Sequence, residues 1–423
     1  MTSAWPLLWP GMATLVVVMG LGRFAYTPIL PEMLQAQVLS LQASGWVAAA
    51  NFSGYLAGAL LATVVSSRRW QQHMLSAALM VSVLLLATMP LTTSVGLWSV
   101  MRFVAGMASA LGLIYVSAII FERLEQRGQS ALKPWVYVGV SIGMASSSLV
   151  VLALPIEQAS WRLNWWVIAA LALLVALFAG WGLRRLRRLP SDPAAGGAPV
   201  QVTPPTAQVL PATGQAASKV PPEPSSVVSP EPSPADPAER KRQESAFRVT
   251  ACAYGLFGFA YVIHATYLPA MVRAAGYPQD AANWTWVLVG LMAIPGIAFW
   301  NQAASRFGLR RTIAACYAFE GLTALAPVFE ASLAGALVAA FGLGAVLTPV
   351  SGLALTHGRA LGMGQAARVV GIMTMCFSAG QILGPIVAAH LAEGAGFAAP
   401  SAVVSLALIV CSVLVARFSA DPR

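Results

Sequence analysis

Residues Met19–Met33 read MGLGRFAYTPILPEM, a glycine-rich apolar run with a single arginine, Arg23. A second copy occurs at Tyr254–Met271, YGLFGFAYVIHATYLPAM. Gly20-Leu21 and Phe24-Ala25-Tyr26 return as Gly255-Leu256 and Phe259-Ala260-Tyr261, while Leu30-Pro31 and Met33 return as Leu268-Pro269 and Met271. From Leu30 and Leu268 onward the two halves align at a constant offset of 238 residues. Trp46 pairs with Trp284, Gly58 with Gly296, Ser67-Arg68 with Ser305-Arg306, Phe103 with Phe341 and Gly106 with Gly344. The arginines inside the apolar segments are not restated. Arg23 aligns with Gly258, and Arg102 with Ala340. The repeat is kept where packing needs it and lost where charge is placed.

Composition sets the solvent. The 423 residues are 58% hydrophobic and 9% charged, whereas soluble domains carry about a quarter charged residues. Such a chain is short of the polar groups a water-facing surface needs, so most of its surface must face lipid. Apolar runs of about 20 residues mark spanning helices. Twelve are expected, near 9–31, 42–65, 74–92, 97–121, 134–155, 163–184, 248–272, 283–303, 312–329, 332–356, 368–391 and 397–417. Barrel strands would alternate over about 10 residues instead. The first run has no basic flank and reads as a retained span, not as a leader.

The net charge is +10, and its placement is a topology signal. One side of the expected spans holds Arg68, Arg69, Arg123, Arg127, Lys133, Arg306, Arg310, Arg311, Arg359 and Arg368; the other holds Arg162 and Arg273. This bias puts both termini and the long middle connection in the cytoplasm. No basic patch is interleaved with stacking aromatics, so no nucleic-acid partner is expected. Cys252, Cys316, Cys376 and Cys411 fall within spans and read as packing residues.

The chain divides into an N-terminal six-helix bundle (1–188), a proline-rich linker (189–245) and a C-terminal six-helix bundle (246–423). Thirteen prolines fall between Pro190 and Pro237. That composition buries no core and favours extended, disordered chain.

Two parallel six-helix halves fit a transporter architecture with its substrate site at mid-membrane. Apart from the linker, the chain resembles the major facilitator superfamily. Ser305-Arg306-Phe307-Gly308-Leu309-Arg310-Arg311 is similar to that superfamily's loop between helices 8 and 9, with serine in place of the usual aspartate. Arg102, Gly106 and Ala110 match its RxxxGxxxA pattern on helix 4, and GLGRFAYTPILPEM looks like the YbfB/YjiJ-type branch. The resemblance implies an all-α fold of twelve transmembrane helices in two pseudo-symmetric bundles. It also implies alternating access, a cavity lined by helices 1, 4, 7 and 10, and loops after helices 2 and 8 that clamp the halves at the cytoplasmic side. Arg68, Arg306, Gly308 and Arg310 match those loops.

Within this frame, Arg23 and Arg102 are the sharpest signals. An arginine deep in a span costs roughly 2.5–3.5 kcal/mol on insertion scales, so it should face the bundle interior. A guanidinium there offers bidentate donors to an anion; alternatively it bonds backbone carbonyls and holds helices together. A histidine can titrate near neutrality, so His264 is a candidate for substrate contact or proton coupling. Glu320 is the acidic residue deep inside a span, and it could carry a proton or bond a neighbouring helix. Tyr26 and Gln381 would shape the site, and Thr348 is a further polar candidate. Gly380, Gly384 and Pro385 form a GxxxGP pattern on helix 11; in the superfamily such a pattern on helix 5 marks drug antiporters, and helix 5 here lacks the proline.

Gly20-x-Gly22-x-x-Ala25 and Gly362-x-Gly364-x-x-Ala367 mimic a dinucleotide fingerprint, but neither follows a strand. No HExxH, phosphate-loop or zinc-spaced cluster occurs. The chain therefore reads as a monomeric inner-membrane secondary transporter without a cofactor. It would move a small organic anion with protons. Two alternatives are a proton-coupled exporter of amphipathic compounds and a membrane sensor signalling through the linker.

Overall fold

The computed structural model describes residues 5–65, 67–154, 160–188, 237–329, 332–361 and 366–419. Among the described residues, twelve helices are long and apolar enough to cross a membrane. They are α1 (Trp5–Gln35), α2 (Leu41–Val64), α3 (Arg68–Leu91), α4 (Val95–Gln126), α5 (Ser130–Ala153) and α6 (Trp161–Leu186) in the first half. The second half holds α7 (Lys241–Ala274), α8 (Gln279–Phe307), α9 (Leu309–Phe329), α10 (Leu333–Ala360), α11 (Arg368–Ala395) and α12 (Ala398–Phe418). Each expected run overlaps one of them. No strand occurs among the described residues.

One boundary moves. The helix that contains α7 begins at Pro237, so residues 237–245, read from composition as linker, are helical. Proline is tolerated there because the first turn of a helix has no intrahelical use for its N–H. Residues 189–236 lie outside the described residues.

The repeat seen in the sequence is a packing repeat. Glycines let helix backbones touch where a Cβ would collide. In the first half α1 seats on α5, and an added Cβ on Gly20 would come within 2.4 Å of Gly143 Cα. In the second half α7 seats on α11, and a Cβ on Gly380 would meet the Gly255 carbonyl oxygen at 2.1 Å. The aligned pair Gly106 and Gly344 does the same for α2 on α4 and for α8 on α10, against the carbonyl oxygens of Asn51 (1.9 Å) and Val289 (2.5 Å).

α1 is not continuous. It is α-helical over Trp5–Leu15, wound as a π-helix over Val16–Leu21, open at 22–25 and α-helical again over Tyr26–Gln35. Local causes are legible. The wide winding puts the Gly22 N–H on the Val17 carbonyl at 2.7 Å and the Phe24 N–H on that of Met19 at 3.2 Å. Pro28 has no N–H to give the Phe24 carbonyl, which accepts instead from Thr27 N at 3.2 Å. That draws Thr27 N away from the carbonyl of Arg23. The break thus leaves main-chain acceptors deep inside the bundle that need a donor from elsewhere.

The two halves meet through α2 against α11, α5 against α8 and α1 against α7. The hydrogen bonds that join them gather at one end, beside the α1–α2 and α7–α8 connections. Thr27 Oγ1 donates to the Ala265 carbonyl at 2.7 Å, Ser44 and Tyr267 share a hydroxyl bond at 3.1 Å, and Ser148 Oγ donates to the Asn283 carbonyl at 2.9 Å. Arg273 Nη2 reaches Gln35 Oε1 at 3.2 Å, and Gln42 bonds Glu393. The opposite end carries the basic connections. There Arg68 pairs with Glu122 and Lys133 with Glu125 inside the first half, while Arg310 Nη1 donates to the Ala416 carbonyl at 2.7 Å inside the second. Arg306 is exposed at that end, and Gly308 turns with φ +85°. Arg68 and Arg310, both expected to clamp the halves, are thus engaged within their own halves, and the stitched end is the other one. Leu84 on α3 and Leu174, Leu177 and Phe178 on α6 are exposed, as suits helices that face lipid.

Candidate functional site

A cavity of about 110 Å³ lies between the halves. α1, α2, α4 and α5 contribute one wall and α7, α10 and α11 the other. Its polar lining is Arg23, Tyr55 and Tyr137 from the first half, and Tyr261, Thr348, Ser351 and Gln381 from the second. Met19, Phe24, Leu113, Leu347 and Phe377 supply most of its apolar surface.

Arg23 is the only charged residue among these lining residues. It sits just past the π-helix of α1, where the open turn at 22–25 sets its direction. It is 5% exposed. Its guanidinium carbon lies 4.3 Å from the Tyr55 ring centroid, 4.7 Å from that of Phe52 and 5.4 Å from that of Phe24. Such an aromatic cage offsets part of the cost of a desolvated cation. It leaves hydrogen-bonding capacity unused, since Nε and Nη2 are buried without a hydrogen-bond partner. Among the described residues no carboxylate makes a salt bridge with Arg23.

Arg102 is arranged differently. It is 4% exposed on α4, outside the cavity lining. Its Nη1 donates to the Gly22 carbonyl at 3.0 Å and its Nη2 to the Arg23 carbonyl at 2.6 Å. These are carbonyls at the open turn of α1. Arg102 therefore caps the broken helix and fixes the backbone that carries Arg23. Asn51 Nδ2 holds the Arg102 carbonyl at 2.9 Å, and the Arg102 guanidinium lies 5.2 Å from the Tyr26 ring.

The other sequence candidates divide between the cavity and its surroundings. Gln381 lines the cavity, donates from Nε2 to the Tyr261 hydroxyl, and keeps Oε1 without a partner. Tyr26 lies outside the lining, and its hydroxyl donates to the Ser44 carbonyl at 3.2 Å. His264 is fully buried beside α12, with Nε2 3.2 Å from Ser401 Oγ and Nδ1 unpartnered. Glu320 is buried on α9 with both carboxyl oxygens unpartnered. An aromatic chain leads from its neighbour back to the cavity: Tyr317 to Phe257 at 5.4 Å, and Phe257 to Tyr261 at 5.3 Å.

Tyr55, Tyr137, Ser351 and Phe377 were not singled out from sequence as site residues. The signal for Tyr55 was present in Asn51–Tyr55 beside the α2 glycines. Phe377 carries no such signal, because its ring lies within 20° of parallel to Tyr254 and Tyr261 only through tertiary packing, at 11° and 8°.

Comparisons with known proteins agree with this architecture. The family described as "Uncharacterised MFS-type transporter YbfB" matches residues 15–214 and 220–417. Among solved structures, a D-xylose-proton symporter superposes with a TM-score of 0.70 at 13% identity, covering 100% of this chain and 99% of that one. The nucleoside transporter NupG superposes with a TM-score of 0.65 at 14% identity, covering 99% and 98%. No curated protein matches the chain by sequence. At these identities the two structures speak for the fold alone, while the family match spans both halves and the break in α1. The chain is a twelve-helix membrane transporter that belongs to the YbfB-type family of the major facilitator superfamily.

Proposed function

We propose that this secondary transporter moves a small organic anion together with protons, and that Arg23 is the anion's main contact. The observation that carries the reading is the state of Arg23. It is a caged guanidinium at the interface of the two halves, with unused donors and no described carboxylate beside it. A buried cation without a counterion is costly, and a carboxylate arriving with the substrate would offset that cost through charge-assisted bonds. The lining supports a compact ligand: a protein cavity of about 150 Å³ holds benzene, and this one measures about 110 Å³.

Gln381, Tyr261 and Thr348 supply polar contacts opposite Arg23. Arg102 is a positioning residue, because it sets the α1 backbone. Glu320 and His264 are the candidate proton carriers; both are buried titratable groups with unused hydrogen-bonding atoms. The excess of arginine at one end favours a cytoplasmic location for that end and for both termini, as in a bacterial inner membrane. The protein acts as a monomer in this reading, with the two halves rocking about the cavity.

The test is thermal stability of the purified protein against a panel of carboxylates, neutral compounds and lipophilic cations, in wild type and Arg23→Ala. A ligand that binds only the folded state stabilises it by about 2.7 kcal/mol at a hundredfold excess over Kd. Carboxylates should stabilise the wild type and not the variant. Equal stabilisation of both proteins by lipophilic cations would remove the anion reading in favour of amphipathic export.

A further inference from the structure

A second cavity, of about 630 Å³, opens at the stitched end of the bundle. Gln35, Gln37 and Ser40 from the first half and Ala270, Arg273 and Phe397 from the second contribute to its wall. No acidic residue is among its lining residues. The nearby carboxylate of Glu32 accepts from Asn164 Nδ2 at 2.5 Å and lies within electrostatic reach of Arg273. Arg273 is the charged residue of the vestibule lining, at the end of the protein where cations are scarce.

The same guanidinium is a tie between the halves. Its Nη1 donates to the Tyr277 carbonyl on its own side at 2.6 Å, and its Nη2 donates across the interface to Gln35 Oε1 at 3.2 Å. The cross-interface partner is a neutral amide. A carboxylate is a stronger acceptor for a guanidinium than an amide is, and its two oxygens match the guanidinium fork. An anion entering the vestibule can thus displace Gln35 while Tyr277 keeps the arginine in place.

We propose that Arg273 is an anion entry site that doubles as a latch. The incoming organic anion replaces Gln35 on Nη2, and the loss of that bond releases α1 from α7 at this end. The proposal rests on the organic-anion reading and adds a second site to it, distinct from Arg23. Opening at this end then responds to substrate before the substrate reaches the central cavity.

The experiment uses the full chain with its four cysteines replaced by alanine and nitroxide labels at Ala36→Cys and Ala275→Cys. Both positions are exposed on the connections at this end. Distances between the labels are measured by pulsed electron resonance during titration with lactate, succinate and benzoate, with chloride at matched ionic strength as control. In the wild-type background at least one carboxylate, and not chloride, should lengthen the distance. Arg273→Gln lacks the tie, so it should show a longer distance without ligand and need a roughly tenfold or higher carboxylate concentration for any further lengthening, the worth of one charge-assisted bond. Arg273→Lys should fall between the two. Equal responses in Arg273→Gln and the parent would overturn the latch while leaving Arg23-dependent thermal stabilisation intact. No response in either, with that stabilisation still present, would overturn it too. Loss of both signals would remove the anion reading and the latch together.

Discussion

Arg102 on α4 donates to the main-chain carbonyl of Arg23 on α1 at 2.6 Å. Two arginines thus meet through a backbone oxygen, and only one of them lines the cavity. Their substitutions should separate cleanly. Arg102→Ala removes two charge-assisted bonds to buried carbonyls, each worth about 1.5–3 kcal/mol. A clear fall in melting temperature and in detergent-stable yield is expected. Arg102→Lys should recover only part of it, since an ammonium replaces the fork with a point charge.

Arg23→Ala should behave in the opposite way. Removing a buried, incompletely bonded cation relieves a desolvation cost, so the melting temperature in the absence of ligand should match or exceed that of wild type. Ligand-dependent stabilisation and uptake should be lost. A variant that melts far below wild type would assign Arg23 a mainly structural role.

Glycine contacts give a test of the packing repeat. A Cβ on Gly106 would lie 1.9 Å from the Asn51 carbonyl oxygen, whereas nothing lies within 4 Å of one on Gly371. Gly106→Ala should separate α2 from α4 and reduce the folded fraction measured by size-exclusion chromatography. Gly371→Ala should be neutral or slightly stabilising, since alanine is the better helix former by about 1 kcal/mol.

Glu320→Gln keeps the shape of the side chain and removes its ability to carry a proton. With neither carboxyl oxygen partnered in the wild type, the variant should be at least as thermostable. If Glu320 couples protons to transport, accumulation driven by a pH gradient should fall while counterflow exchange of substrate persists. Unchanged accumulation would shift the coupling role to His264.

Thr27→Val breaks the bond from Thr27 Oγ1 to the Ala265 carbonyl, one of those that stitch the halves. A neutral hydrogen bond contributes about 1 kcal/mol, roughly a fivefold change in an equilibrium. Labels at Ala36→Cys and Ala275→Cys should report a larger open fraction at this end, with no ligand present.

Much of this fold was legible before any coordinate. The constant offset between halves required two equivalent bundles, and Gly58 with Gly296 or Gly106 with Gly344 proved to mark equivalent helix contacts. The break in α1 was only half visible. Pro28 and Pro31 signalled a bend, but the π-winding at Val16–Leu21 lies where Gly20 meets Gly143, a contact between residues far apart in sequence. The different situations of Arg23 and Arg102 were hidden for the same reason. Both are lone arginines in apolar helices, and the carbonyls that occupy Arg102 exist as free acceptors only because a different helix opens. The cage around Arg23, from α1 and α2, and the stack of Tyr254, Phe377 and Tyr261, from α7 and α11, likewise assemble only when two helices pack.

The arginine of the first half has no room for a counterpart at the aligned Gly258. In the second half, a Cβ at Gly258 would lie 2.4 Å from the Phe377 carbonyl oxygen and 2.9 Å from its ring. The space that an arginine would need there is filled by α11. With that helix in place, an arginine at position 258 would require moving a backbone as well as changing a codon. Each half is thus committed to its own job: one carries the charge at the cavity and the other a wall built where its counterpart would stand.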